Sequence, residues 1–172
     1  VTSLAGHAVE IDGWRVDAAY SGTQKCLSCP PGLAPVTFSP RAVEKMRARK
    51  TPVQSWYLDL SLIQGYWGEE RSYHHTAPIS MIFSLHAGLG AVLDEGIDQV
   101  IARHAACGEA IQTGVQKLGL KLFAAEEHRL PQLTSVWVPE ERLPGSATEA
   151  EVRSLLLSRY GIEIGGGLGP VA

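Results

Sequence analysis

Apolar and polar positions alternate at a strand period near the N-terminus and then settle into a helical period. Val16 to Tyr20 forms a short β-like run after a turn at Asp12-Gly13. It ends in Ser21-Gly-Thr-Gln-Lys25, which puts Lys25 on a loop just past a strand end. Pro30-Pro31-Gly32 forces an extended, turning path, and Val36 to Phe38 reads as a second strand. Ser39-Pro40 then opens a helix that runs to about Arg49. Serine caps its free N–H groups, and proline occupies a first position that needs no donor. Asp59 to Trp67 reads as a short helix, Tyr73-His74-His75-Thr76 as a polar aromatic loop, and Pro78 to about Leu93 as a long apolar helix.

Gly96 marks a break. Beyond it Ile97, Val100, Ile101, His104, Ala105, Ile111, Val115 and Leu118 recur at three- and four-residue steps, the stripe of an amphipathic helix that Gly119 ends. Lys121 to Ala124 and Leu133 to Val138 read as strands. Thr148-Glu-Ala-Glu151 is a capping box for a last helix, Gly161 closes it, and Ile162 to Ile164 reads as a closing strand. The order implies an α/β fold: the end of one α/β domain, joined by long helices to a smaller one. The expected division is residues 1–95 and 96–172.

Composition narrows the function classes. Hydrophobic residues make up 45% of the 172, which suits a packed core rather than disorder. The net charge is −3 and basic residues do not cluster, which excludes a nucleic-acid surface. No apolar run reaches the length of a bilayer, and the N-terminus lacks a cleavable leader pattern. A soluble intracellular protein is expected, cytoplasmic by default, with peroxisome or mitochondrion open in a eukaryote. The three cysteines make no even disulfide set, which suits a reducing compartment. Val1 is not methionine, and the chain stops just after Gly165-Gly-Gly-Leu-Gly-Pro170. A fragment lacking both ends is the expectation.

Candidate chemistry starts at Lys25. An isolated lysine is usually a solvated charge, but this one follows small hydrogen-bonding residues and precedes a rigid Pro-Pro-Gly turn. A lysine whose pKa is lowered by burial can act as a Schiff-base nucleophile, the use to which pyridoxal phosphate enzymes put it. Cys26 and Cys29 are spaced as half a zinc site or a redox pair. No second C-x-x-C completes the set, so inert thiols are the default and no metal is expected. Tyr73 and Thr76 read equally as a surface loop or as hydroxyls that bind phosphate at a helix N-terminus. Trp56 and Trp67 are expected in core packing, and His86, His104 and His128 in packing or at the surface.

Tyr20-Ser-Gly-Thr-Gln-Lys-Cys-Leu-Ser-Cys-Pro-Pro-Gly32 resembles the cofactor-lysine segment of class V aminotransferases, in the alanine–glyoxylate and serine–pyruvate branch. Ala48-Arg-Lys-Thr51, Trp56-Tyr-Leu-Asp59, Tyr73-His-His-Thr-Ala-Pro78 and Ile162-Glu-Ile-Gly-Gly-Gly-Leu-Gly-Pro170 resemble further landmarks of that branch, in the family's order.

The resemblance implies a fold-type I transferase: part of a large domain with a mostly parallel sheet, most of a small C-terminal α/β domain, and a homodimer. Pyridoxal 5'-phosphate is the implied cofactor, with small amino acids and 2-oxo acids as substrates. Lys25 would hold the cofactor and move the substrate α-proton. Gln24 would lie beside the cofactor phosphate, Tyr73 and Thr76 would reach the phosphate bound by the partner subunit, and Val1 would pack on the pyridine ring. The family's ring-facing aspartate would fall just before Val1, and its substrate arginine just after Ala172. Residues 1–172 alone are therefore expected to be inactive. A kynurenine-type or phosphonate aminotransferase, or a non-catalytic interaction module, remains as the alternative; a cysteine desulfurase would need a nucleophilic cysteine on a mobile loop, which nothing here presents.

Overall fold

A computed structural model describes residues 1–139 and 148–168 of the chain. Strands β1 (Ala18–Tyr20) and β2 (Val36–Phe38) pair antiparallel, with Ala18 opposite Phe38, Ala19 opposite Thr37 and Tyr20 opposite Val36. β1 is shorter than its apolar run because the Val16 N–H donates to the Ile11 carbonyl at 2.9 Å, which commits Val16 to the preceding turn. Among the described residues this pair is the only sheet, so the parallel strands of the expected large domain are not among them.

Helix α1 (Pro40–Arg47) starts where serine and proline predict it: the Ser39 hydroxyl accepts from the Ala42 N–H at 3.1 Å. The same hydroxyl donates to Asp17 Oδ1 at 2.6 Å, and Arg41 grips both Asp17 oxygens at 2.9 and 2.6 Å. One carboxylate thus ties the entry of β1 to the first turn of α1. A 3-10 turn (Trp56–Leu58) leads into α2 (Leu60–Trp67), capped by Asp59. Helix α3 (Ile79–Glu95) ends at Gly96, whose φ of 87° is open to glycine and strained for other residues. Helix α4 (Ile97–Lys117) follows directly.

The chain divides into two compact units, Val1–Cys107 and Gly108–Ala172, with the division inside α4. The core of the first unit is Ala5, Leu27 and Cys29, flanked by Leu4, Cys26, Leu85 and Val92. Burying a leucine such as Leu27 contributes about 1.5–3 kcal/mol. Here that energy fixes the loop carrying Lys25 against α3. In the second unit, Gly108 approaches Pro131 so closely that a Cβ would lie 2.3 Å from the Pro131 carbonyl oxygen. Helix α5 (Glu149–Tyr160) has the full capping box at Thr148 and Glu151, and Gly161 closes it in the left-handed conformation at φ 66°.

Three expectations are corrected. The segments 121–124 and 133–138 meet at one antiparallel bridge, Leu122 with Val136, supported by Phe123 N–H to Ser135 at 2.8 Å and Trp137 N–H to Lys121 at 2.9 Å. Two short segments without a third strand are marginal as a sheet, so the ladder does not extend. Residues 162–164 form no strand and stay exposed, because no partner strand lies beside them among the described residues. Trp56 and Trp67, expected in the core, are 57% and 61% exposed.

Candidate functional site

Lys25 lies on the loop between β1 and β2, with its side chain exposed. The loop is held from inside by small hydroxyl residues. Thr23 is 1% exposed, its hydroxyl donates to the Pro30 carbonyl at 2.8 Å, and its own carbonyl accepts from the Cys29 N–H at 3.0 Å. The Ser28 N–H donates to the Lys25 carbonyl at 2.9 Å, which turns the chain just after the lysine. A flexible amine therefore stands on a fixed base.

Helix α3 supplies the wall behind that base. A Cβ at Gly88 would fall 2.3 Å from Cys29 Sγ and 2.7 Å from the Leu27 carbonyl oxygen. Cys29 Sγ also donates to Leu27 at 3.1 Å and, one helical turn before Gly88, to the Ser84 carbonyl at 3.5 Å. Cys29 is accordingly a buried packing residue, and Cys26 is half-buried in the same core. Among the described residues no group of three or more histidine, cysteine or acidic side chains could hold a metal ion.

Val1 lies at the same strand end. Its nitrogen donates to the Tyr20 carbonyl, and its carbonyl accepts from the buried Ser21 hydroxyl at 2.6 Å. A small apolar pocket of about 170 Å³ opens there, lined in part by Val1, Leu4, Ala19 and Tyr20, and it does not include Lys25. Gln24 is exposed and folds back over Gly22, where a Cβ would meet Gln24 Oε1 at 2.6 Å.

Tyr73 and Thr76 form a second cluster on the loop before α3. Both are exposed, Tyr73 by 77%, and their hydroxyls pair at 3.2 Å. Among the described residues no hydrogen bond joins this pair to the Lys25 loop. Sequence reasoning missed the buried residues beneath both clusters: Ser21 and Thr23 under Lys25, and His74 under Tyr73. The run of small hydroxyl residues before Lys25 was the one signal available for the first two.

The donor set fits pyridoxal phosphate. An exposed amine can condense with an aldehyde. Paired hydroxyls share one proton between them and leave the other free to donate to a phosphate oxygen.

Comparison with known proteins agrees with that chemistry. The chain is 36% identical to (S)-ureidoglycine–glyoxylate transaminase of Bacillus subtilis over 190 aligned residues, covering 100% of the chain and 44% of that protein. It is 38% identical to alanine–glyoxylate aminotransferase of Drosophila melanogaster, covering 99% of the chain and 43% of that protein. The crystal structure of alanine–glyoxylate aminotransferase from Nostoc sp. superposes with a TM-score of 0.88 at 43% identity, over 100% of this chain and 44% of that one. Over its whole length the chain is homologous to glyoxylate aminotransferases. Its fold is the corresponding part of a fold-type I transferase. No protein-family profile matches the chain. The chain spans less than half the length of the relatives named above. No helix among its described residues is long and apolar enough to cross a membrane.

Proposed function

We propose that the protein is a pyridoxal phosphate-dependent transaminase that moves an amino group from alanine or serine to glyoxylate or pyruvate. One observation carries the reading: an exposed Lys25 amine on a loop locked by buried Thr23, in a chain that aligns end to end with glyoxylate transaminases. Glyoxylate is common to the names of both relatives, whereas the amino donor differs. Glyoxylate is therefore the preferred acceptor, and ureidoglycine joins alanine and serine as a donor to be tried.

Bound cofactor supplies an aldehyde for covalent attachment and an electron sink for the bond broken at the substrate α-carbon. Lys25 would hold that aldehyde, and its freed Nζ would take the substrate α-proton and return it to the carbon that was the cofactor's aldehyde, as general base and acid. The Gln24 amide donates to the phosphate. Val1 lays an apolar side chain on the ring face and excludes water from it. Tyr73 and Thr76 donate to the phosphate bound by the partner subunit of a homodimer. Residues 1–95 belong to the cofactor-binding domain and 96–172 to the small domain. A carboxylate facing the ring nitrogen and an arginine gripping the substrate carboxylate complete the chemistry, and no residue of this chain is assigned either role.

The test is glycine formation from glyoxylate by the intact protein, with alanine, serine or (S)-ureidoglycine as donor. The proposal expects transfer from at least one donor and a loss of about 10²–10⁴-fold or more in Lys25→Ala. Transfer at the parent rate by Lys25→Ala, or none from any donor with the parent protein, contradicts it.

A further inference from the structure

His74 is a buried polar residue to which the proposed chemistry gives no part. It is 3% exposed, and both ring nitrogens are engaged. Nε2 lies 3.1 Å from the Trp56 carbonyl oxygen, which can only accept, so Nε2 carries a hydrogen. In the neutral ring Nδ1 is then bare, and it accepts from the Nδ1–H of His75 at 2.8 Å. The His74 ring also stacks on the Trp56 indole at 4.1 Å and 17°. Tautomer, plane and position are all fixed by the 3-10 turn that precedes α2.

The grip passes outward. His75 meets Tyr57 edge-on at 5.8 Å and lies tilted against Tyr66 of α2 at 5.1 Å, and Tyr66 in turn meets the Tyr73 ring edge-on at 6.3 Å. The two histidines thus hold, from inside, the short loop whose flanking residues Tyr73 and Thr76 present the exposed hydroxyl pair. We infer that His74 is a positioning residue for phosphate recognition: locked by the Trp56 carbonyl, it sets the separation and direction of the Tyr73 and Thr76 hydroxyls. The inference rests on the reading that this pair receives a phosphoryl group. A histidine that only filled space would stabilise the loop without favouring one ligand over another.

The experiment compares binding of pyridoxal phosphate with binding of pyridoxal, which lacks the phosphate, to the intact protein by absorbance titration. Tyr73→Phe tests the underlying reading, and His74→Leu and His74→Gln test the inference. Tyr73→Phe is expected to lower the ratio of the two affinities about tenfold, the worth of one hydrogen bond to a charged group. His74→Leu is expected to lower it to a similar degree with pyridoxal binding held. His74→Gln, whose amide can still donate to the Trp56 carbonyl, is expected to recover most of the loss. Should the leucine variant fail to fold, His75→Ala removes the Nδ1 partner at a half-buried position and is expected to lower the same ratio. An unchanged ratio in the His74 and His75 variants, alongside a lowered one in Tyr73→Phe, overturns the inference alone. An unchanged ratio in Tyr73→Phe overturns the phosphate reading and the inference with it.

Discussion

The Thr23 hydroxyl donates to the Pro30 carbonyl across 2.8 Å, which closes the loop around Lys25 from within. The Thr23 carbonyl also accepts from the Cys29 N–H at 3.0 Å, and Thr23 is almost fully buried. Thr23→Val keeps the volume but leaves the Pro30 carbonyl without this donor. Loss of such a partner costs about 1–3 kcal/mol. A lowered urea midpoint of the intact protein is expected, with Thr23→Ser closer to the parent. A Thr23→Val midpoint equal to the parent's contradicts the anchoring role.

Gly88 and Gly90 lie two positions apart on α3 and should respond in opposite directions. A methyl at Gly88 meets Cys29 Sγ and the Leu27 carbonyl at distances below any ordinary contact, whereas a Cβ at Gly90 has nothing within 4 Å. Overpacking makes Gly88→Ala destabilising by about 1–3 kcal/mol. Better helix propensity makes Gly90→Ala stabilising by about 0.5–1 kcal/mol. Equilibrium denaturation of both variants checks the contrast, and equal shifts of the same sign refute it.

Acid should loosen the junction of β1 and α1. The hydrogen bond from Arg41, with help from the Ser39 hydroxyl and against a smaller opposing effect of burial, holds the Asp17 carboxyl below its ordinary value of 3.8. Its folded pKa is therefore lower than its unfolded one. The contribution is complete above the unfolded value and is lost as pH falls through the folded one. Between about pH 5 and pH 2 the denaturation midpoint is expected to fall less steeply in Asp17→Asn than in the parent. Parallel pH profiles contradict the assignment.

Local signals made much of this fold legible. Ser39-Pro40 marked the start of α1, Gly96 the break between α3 and α4, and the Thr148–Glu151 box with Gly161 both ends of α5. Each of these is decided within a few residues of itself. What misled was tertiary. Residues 162–164 have strand character but need a neighbouring strand, and Trp56 and Trp67 look like core residues until their surroundings are known. The last two residues of the Gly165–Pro170 landmark lie outside the described residues. The same division holds at the site. The lysine and the hydroxyl pair stood out by residue type and order. Their supports, Ser21, Thr23, His74 and Gly88, did not, because burial and close approach leave no periodic mark.

The proposed chemistry turns on Lys25, and direct labelling tests it. The intact protein is incubated with pyridoxal phosphate, reduced with borohydride and digested, and the phosphopyridoxyl group is mapped by mass spectrometry. The expected result is a single modified lysine, Lys25, with the label absent in Lys25→Ala. Modification at a different lysine, or none at all, contradicts the account.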